Sequence, residues 1–441
     1  MKSINKILVA LIVASLSFTS IFSVGIKAEE SLSGNITMWH SFTQGPRFES
    51  INQAAREFEE LHPDVTITIE TFSWGDFYTK WTSGLASGNV PDLSTALPNH
   101  IVEMIDAEAI IPLNDTIDNI GRDRFAEVSI NEGTVDESNY SIPLYSHAQV
   151  MWVRKDLLEK YNLEIPKTWS DLSEAAKIIN EGEEDVFGLS FPTGSNDYMG
   201  TRFLNFYVRS IGGSLLTDDL KANLTSPEAI EGIKYWVDIY HTVSPQDSVN
   251  YNVLDQATLY YQGRTAFDFN SGFQIGGVAE NSPELLEYIE AAPVPKKDDS
   301  DQDYGIETSN IPLVVWKNSK HPETAKAFIE FLFETDRYID FLSATPVGML
   351  PSLMDITEND KYLSNERIQQ FKESAKIISD AVEKGTAIGY EHGPSVQAGL
   401  LTSQGIIEAM FQDILVNGTE VELAAQNAEE ELNAIFESLG Y

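Results

Sequence analysis

Strand-like stretches alternate with capped amphipathic helices along most of this chain. Residues 35–40 read NITMWH, with Ile36 and Met38 on either side of Thr37. Pro46 then opens a segment in which Phe48, Ile51, Ala55 and Phe58 share one helical face. Val65–Glu70 reads VTITIE, a period-two strand. In KTWSDLSEAAKIIN, Thr168 and Asp171 form a capping-box-like start ahead of a stripe of Leu172, Ala175, Ala176 and Ile179. Ser226 as cap and Pro227 at the first helical position repeat the signal before Ile230, Ile233, Val237 and Tyr240. HPETAKAFIEFLFE follows the same rule from Pro322, and Asn365 to Leu439 reads as almost entirely helical. This alternation predicts an α/β fold, with sheets covered by helices on both faces. Ligands of such folds bind outside the carboxyl ends of strands, where the chain turns into helix.

The amino terminus stands apart from this grammar. Lys2 and Lys6 precede an apolar run from Ile7 to Ile26, no acid occurs before Glu29, and Ala28 is a small residue suited to cleavage. Residues 1–28 read as a secretory signal peptide; the same run is long enough to serve uncleaved as an anchor. No later stretch approaches the roughly 18 apolar residues of a membrane helix. The remainder is expected to fold as a soluble protein outside the cytoplasm, with about two or three domains' worth of chain. There is no cysteine, so disulfides and thiolate chemistry are excluded and packing must hold the fold. Acidic residues outnumber basic ones 68 to 29, for a formal net charge of −39. The charges are spread along the chain, as on a solvated surface, and they disfavour nucleic acid and anionic membranes as partners.

Patterns for covalent or metal chemistry are missing. There is no GxSxG elbow, no GxxxxGK[ST] phosphate loop and no GxGxxG fingerprint. The seven histidines show no HxxxH or HExxH spacing, so no metal and no cofactor is expected. DDSDQDYGIE, from Asp298 to Glu307, has the alternating acids of a calcium loop but puts Tyr304 where the turn needs glycine and Asn310 where a bidentate glutamate belongs. It reads as an acidic loop. Carboxylates are so numerous that some pair always suits a glycosidase, which makes such a pairing uninformative.

Aromatic residues are more telling. Trp39, His40 and Ser41 stand where the first strand leaves its sheet, a binding position in an α/β fold; a tryptophan capping the core and a solvated histidine fit the same spot. TFSWGDFYTKW, residues 71–81, crowds five aromatic rings after the second strand. Phe77 and Trp81 are one helical turn apart and read as core, while Trp74, before Gly75, reads as a loop residue free to meet a ligand. Aromatic faces beside hydroxyl and amide groups suit a sugar, whose C–H faces are apolar and whose rim needs hydrogen bonds.

These pieces, taken in order, resemble the extracellular sugar-binding proteins of ABC importers, of the maltose-binding-protein-like type. ITMWHSF is similar to that family's first strand and ligand-facing turn, and SGLASGNVPDL to its helix, small-residue turn and Pro-Asp strand start. IPLYSHAQVMWVRKDLLEKYNLEIPKTWSDLSEAAKII, residues 142–179, is the most specific block. YYQGRTAFDFNSGF, NSKHPETAKAFIEFL and TPVGMLPS follow in the family's order. The resemblance implies a two-lobed, periplasmic-binding-protein-like (type II) clamp with a hinge of crossing strands near Leu144–Ser146, Ala292–Val294 and Thr345–Gly348, and a largely helical carboxyl-terminal region. One lobe would comprise residues 31–144 and 293–346, the other 145–292 and 347–441.

Beside Trp74, read above from the aromatic pattern, ligand contacts implied by the resemblance are Trp39, His40 and Ser41; Asp92, which also suits a strand-end cap; Tyr145 and His147 on the first crossing; and Asp197 and Tyr198 after FPTG, in what is otherwise a plain surface loop. Asn270 and Phe273 of NSGF, Glu307 and Thr308 in a loop commonly glycine-rich in relatives, and Tyr390 complete the set. Phe273 replaces a tryptophan common in the family, and the cysteine used for lipid attachment in many Gram-positive relatives is absent. The implied function is capture of a carbohydrate, an oligosaccharide by preference, for a membrane permease, by a monomer that performs no bond chemistry. A polyol, a polyamine, or a secreted glycan hydrolase are the alternatives.

Overall fold

The computed structural model describes residues 32–43, 45–195, 197–297 and 305–441. The signal-like segment 1–28 and the acidic run 298–303 lie outside these residues. Ten strands are present among them: β1 (Gly34–His40), β2 (Val65–Thr71), β3 (Leu93–Thr95), β4 (Thr134–Val135), β5 (Ser138–Asn139), β6 (Ile142–Ala148), β7 (Val150–Arg154), β8 (Phe267–Asn270), β9 (Ile289–Ala292) and β10 (Thr308–Val315). They form a five-stranded sheet in the order β2-β1-β3-β10-β6, a three-stranded sheet β8-β7-β9 and the β4-β5 hairpin.

Within the larger sheet β1 runs parallel to β2 and β3, with Ile36 opposite Ile67 and Met38 opposite both Ile69 and Leu93. Parallel neighbours need crossovers. Helix α1 (Gly45–Leu61) supplies the first and α2 (Trp74–Ser87) the second. Strand β10 is antiparallel to β3 and β6, and its register shifts between Ile311 and Pro312, as a residue without an N–H requires inside a central strand.

Two helix details differ from expectation. Ser73 Oγ accepts the Asp76 N–H at 3.2 Å, so α2 begins at Trp74 and that residue sits on a first turn instead of in a loop. In helix α5 (Pro227–Val243), Ile230 and Val237 are only half-buried, while Ala229, Ile233, Trp236, Tyr240 and Val243 face inward. The Trp236 ring sets that orientation. It lies 4.9 Å from Phe203 and stacks at 5.4 Å on Phe191. The expected capping box of Thr168 and Asp171 is formed at the start of α3 (Trp169–Gly182).

The smaller sheet lies in a core that joins Met151, Val153, Phe267 and Phe269 to α3, α5 and helix α4 (Met199–Ser210). Leu400, Leu401, Phe411, Leu432 and Phe436 of the helical carboxyl-terminal region complete it. Against the larger sheet, Trp39, Phe77, Trp81 and Trp316 pack with Ile101 and Met104.

The chain passes from the larger sheet to the smaller at Gln149, between β6 and β7. The Leu144–Ser146 stretch lies inside β6, because pairing with β10 persists to Ala148 opposite Thr308. The return runs from Ala292, the last residue of β9, to Thr308. Residues 345–350 pass the same region: Ser146 and Leu350 exchange backbone hydrogen bonds of 2.9 Å, and Tyr338 Oη donates to the Leu144 carbonyl at 2.7 Å. Val347 has a φ of +68°, backbone that a β-branched residue rarely adopts.

Candidate functional site

The carboxyl ends of the three parallel strands open on one cavity of about 370 Å³. After β1 come Gly45, Pro46 and Arg47; after β2, Trp74; after β3, Leu97. Strand β6 and the passage behind it contribute Tyr145, His147 and Gln149, and β10 contributes Ser309 and Ile311. The opposite wall comes from the elements around the smaller sheet: Asn270 and Ser271 at the end of β8, Phe273 at the start of α7 (Phe273–Asn281), Tyr261 at the end of α6 (Val253–Tyr261), and Asp197, Tyr198 and Arg202 at the start of α4. A second cavity of about 260 Å³ shares Trp74, Leu97, Asp197 and Tyr198 with the first, and adds Tyr78, His100 and Ser403.

Aromatic faces dominate the first cavity. The Phe273 ring meets those of Tyr145 and His147 edge-on at 6.3 and 6.1 Å. The Arg47 guanidinium lies 4.3 Å from the centre of Phe273 and 4.9 Å from that of Phe42, and Nη1 donates to Tyr145 Oη at 3.4 Å. Arg202 is held differently. Its Nε and Nη2 each donate to Glu307 at 2.7 Å, and Nη2 also reaches Tyr198 Oη at 2.8 Å.

Two lining residues carry buried polar atoms without partners. His147 Nδ1 and Gln149 Oε1 are buried without a hydrogen-bond partner, a cost that a ligand's donors and acceptors would remove. Burial, reinforced by the charges of Arg202 and Arg47, pushes the His147 pKa down to about 3, so the ring is neutral. Asp197 has both oxygens engaged, with the Tyr198 and Val253 N–H groups at 2.8 and 2.9 Å, and burial raises its pKa. Such a lining can hold a hydroxyl-rich ligand flat against rings while satisfying its rim. Among the described residues no cluster of three or more histidine or acidic side chains could hold a metal ion.

Of the residues named from sequence, Trp74, Tyr145, His147, Asp197, Tyr198, Asn270 and Phe273 line this cavity. Glu307 reaches it through Arg202. The others lie elsewhere. Trp39 is 2% exposed in the core beside Trp316 and Trp81, and His40 is fully buried on the other face of β1, its Nδ1 accepting the Phe42 N–H at 3.1 Å. Ser41 is buried too. Trp81 and Trp316 pack over Trp39 on one face of β1, and Phe42 and Phe48 lie against His40 on the other. Both faces of its last residues are thus covered, and of the described residues just after β1, Gly45, Pro46 and Arg47 line the cavity. Asp92 takes the strand-end role: its carboxylate accepts from Thr37 N–H at 2.7 Å and Ser319 Oγ at 2.5 Å. Thr308 bonds the His147 carbonyl at 3.1 Å, and buried Tyr390 donates to the Pro98 carbonyl at 2.6 Å. Arg47, Gln149, Arg202 and Tyr261 went unpredicted. Only Arg47 had a signal, its place on the turn after the first strand.

A family model described as bacterial extracellular solute-binding protein matches residues 43–336. The chain belongs to that family. As a solute-binding protein it falls in a group that acts outside the cytoplasm and serves transport by binding. A Brucella abortus protein described as a binding protein is 26% identical to it over 382 residues, covering 85% of this chain and 89% of its own. The arabinooligosaccharide-binding protein of Halalkalibacterium halodurans is 24% identical over 412 residues, covering 88% and 87%. A solved ABC transporter solute-binding protein from Thermotoga lettingae, bound with α-D-tagatose, superposes with a TM-score of 0.79 at 22% identity, over 91% of this chain and 100% of that one. This solute-binding protein thus shares the mixed α/β, two-lobed fold of such receptors.

Proposed function

We propose that this protein captures a carbohydrate, an oligosaccharide by preference, in the cavity between its two sheets and delivers it to an ABC permease. The observation that carries the reading is the lining itself: Trp74, Tyr145, Tyr198, Tyr261 and Phe273 interleaved with the unpartnered polar atoms of His147 and Gln149. The arabinooligosaccharide and tagatose receptors described above belong to the same chemical class. A polyol fits the same lining. A polyamine fits less well, because Glu307 is neutralised by Arg202 and Asp197 is spent on backbone N–H groups.

In this reading residues 1–28 are a signal peptide removed on export, and the protein works as a monomer. Ligand stabilises closure of the two lobes by its differential affinity for the closed state. The protein returns its ligand unchanged.

Thermal unfolding against a panel of oligosaccharides, monosaccharides, polyols and polyamines tests this. A ligand at about 100 times its Kd adds about 2.7 kcal/mol, a rise of a few degrees in the midpoint. A glycan series that raises the midpoint and is recovered intact is the expected result. A flat response accompanied by sugar consumption would overturn it in favour of a hydrolase.

A further inference from the structure

The cavity holds two guanidinium groups in opposite situations. Arg202 has its own carboxylate, a two-point pair with Glu307 whose members are 9% and 6% exposed. Arg47 has none: among the described residues no carboxylate lies within 4.0 Å of it, although the chain carries 68 acids against 29 bases. Among the described residues it meets two ring faces and makes one long bond to Tyr145 Oη, which leaves most of its five N–H donors without a partner there. Of the acids in or beside the cavity, Glu307 is paired with Arg202, Asp197 accepts two backbone N–H groups, and Glu280 is an exposed residue on the lining.

A planar fork held against aromatic faces matches a carboxylate in two-point geometry. Arg47 also comes from the β1 side of the cavity and stacks on Phe273 of the opposite wall, so an anion bound to it would touch both walls at once. We propose that the ligand is an acidic sugar, a uronic acid or an oligosaccharide bearing one, whose carboxylate is taken by Arg47. The inference rests on the carbohydrate reading above and narrows it.

Calorimetry with matched pairs tests it: galacturonate against galactose, glucuronate against glucose, and digalacturonate against galactobiose, on the wild-type protein, Arg47→Gln and Arg47→Lys. The expected result is that the acidic member of a pair binds at least tenfold more tightly than its neutral partner. Arg47→Gln should abolish that preference, and Arg47→Lys, which keeps the charge but loses the fork, should retain part of it. Neutral sugars bound as tightly as their acids, or an acid bound equally well by Arg47→Gln, would overturn the assignment while leaving a sugar receptor intact. A protein that binds neutral glycans only would do the same. If no sugar of either kind binds, the carbohydrate reading fails and this inference with it. Circular dichroism and the unfolding midpoint of each variant separate lost recognition from lost folding.

Discussion

Arg202 and Glu307 form a buried two-point ion pair that ties the first turn of α4 to the approach of β10. The Glu307 carbonyl accepts the Gln149 N–H at 3.0 Å, so the pair braces the place where the chain changes sheets. Removing one partner leaves a desolvated charge behind. Glu307→Gln or Arg202→Gln is expected to cost about 3–5 kcal/mol in urea unfolding. The double replacement Arg202→Met with Glu307→Leu should lose less than either single variant, since no charge is stranded. Equal losses from all three would mean that packing, not charge, is what the pair provides.

Trp74 and Trp39 lie one strand apart and are expected to separate binding from stability. Trp74 lines both cavities. Its replacement by alanine removes an aromatic wall and should weaken ligand by about 2 kcal/mol, roughly thirtyfold, with a small change in the unfolding midpoint. Trp39 is packed against Phe72 at 5.3 Å and Trp316 at 6.5 Å. Trp39→Ala should cost about 3–5 kcal/mol of stability and leave the Kd of the folded fraction near wild type. A Kd that tracks Trp39 and ignores Trp74 would return the site to the end of β1.

Gly272 sets the position of Phe273. A Cβ built on Gly272 would stand 2.3 Å from the Val347 carbonyl oxygen, so even alanine must push the 345–348 segment away from α7. Gly272→Ala is expected to lower stability by about 1–3 kcal/mol, the usual penalty for forcing a packed site. It should also weaken ligand binding, because Thr345 and Pro346 line the same cavity as Phe273. Unfolding curves and calorimetry on the one variant check both halves.

Much of this was legible in the sequence where local rules decide the outcome. The Thr168–Asp171 box, the Ser226 cap and the VTITIE strand each depend on neighbours a few residues away, and the structure forms all three. The carboxyl-end rule located the cavity but not its contacts. Whether Trp39 or Arg47 faces a ligand depends on which side chains cover the faces of β1, and Trp316, which packs on Trp39, lies hundreds of residues along the chain. Arg202 was invisible for a similar reason. Its partner lies 105 residues away, beyond any spacing rule.

Stability should show an unusually flat response to mild acid, because two sets of buried groups pull in opposite directions. Burial raises the Asp268 carboxyl from 3.8 to about 7, and Glu132 and Glu408 from 4.5 to about 7. The native state therefore keeps these protons where the unfolded chain has released them, and their contribution is full below the unfolded pKa and lost as pH rises through about 7. Burial lowers His40 from 6.5 to about 4, with help from Arg47, and lowers His100 to about 3. His147 is lowered to about 3 by burial and by both cavity arginines. Their contribution is present above 6.5 and lost as pH falls toward the folded values. Each group is worth at most about 1.4 kcal/mol per pH unit within its window. Acidification from 7 to 6.5 should then stabilise through the carboxylates alone. From 6.5 to about 4.5 three groups oppose three and the curve should level, and below that the histidines should dominate and stability fall. Asp268→Asn is expected to tilt the level region toward loss in acid, and His100→Gln to tilt it toward gain. Urea midpoints between pH 4 and 8 for the wild type and the two variants check this, and slopes that shift the same way in both variants would refute it.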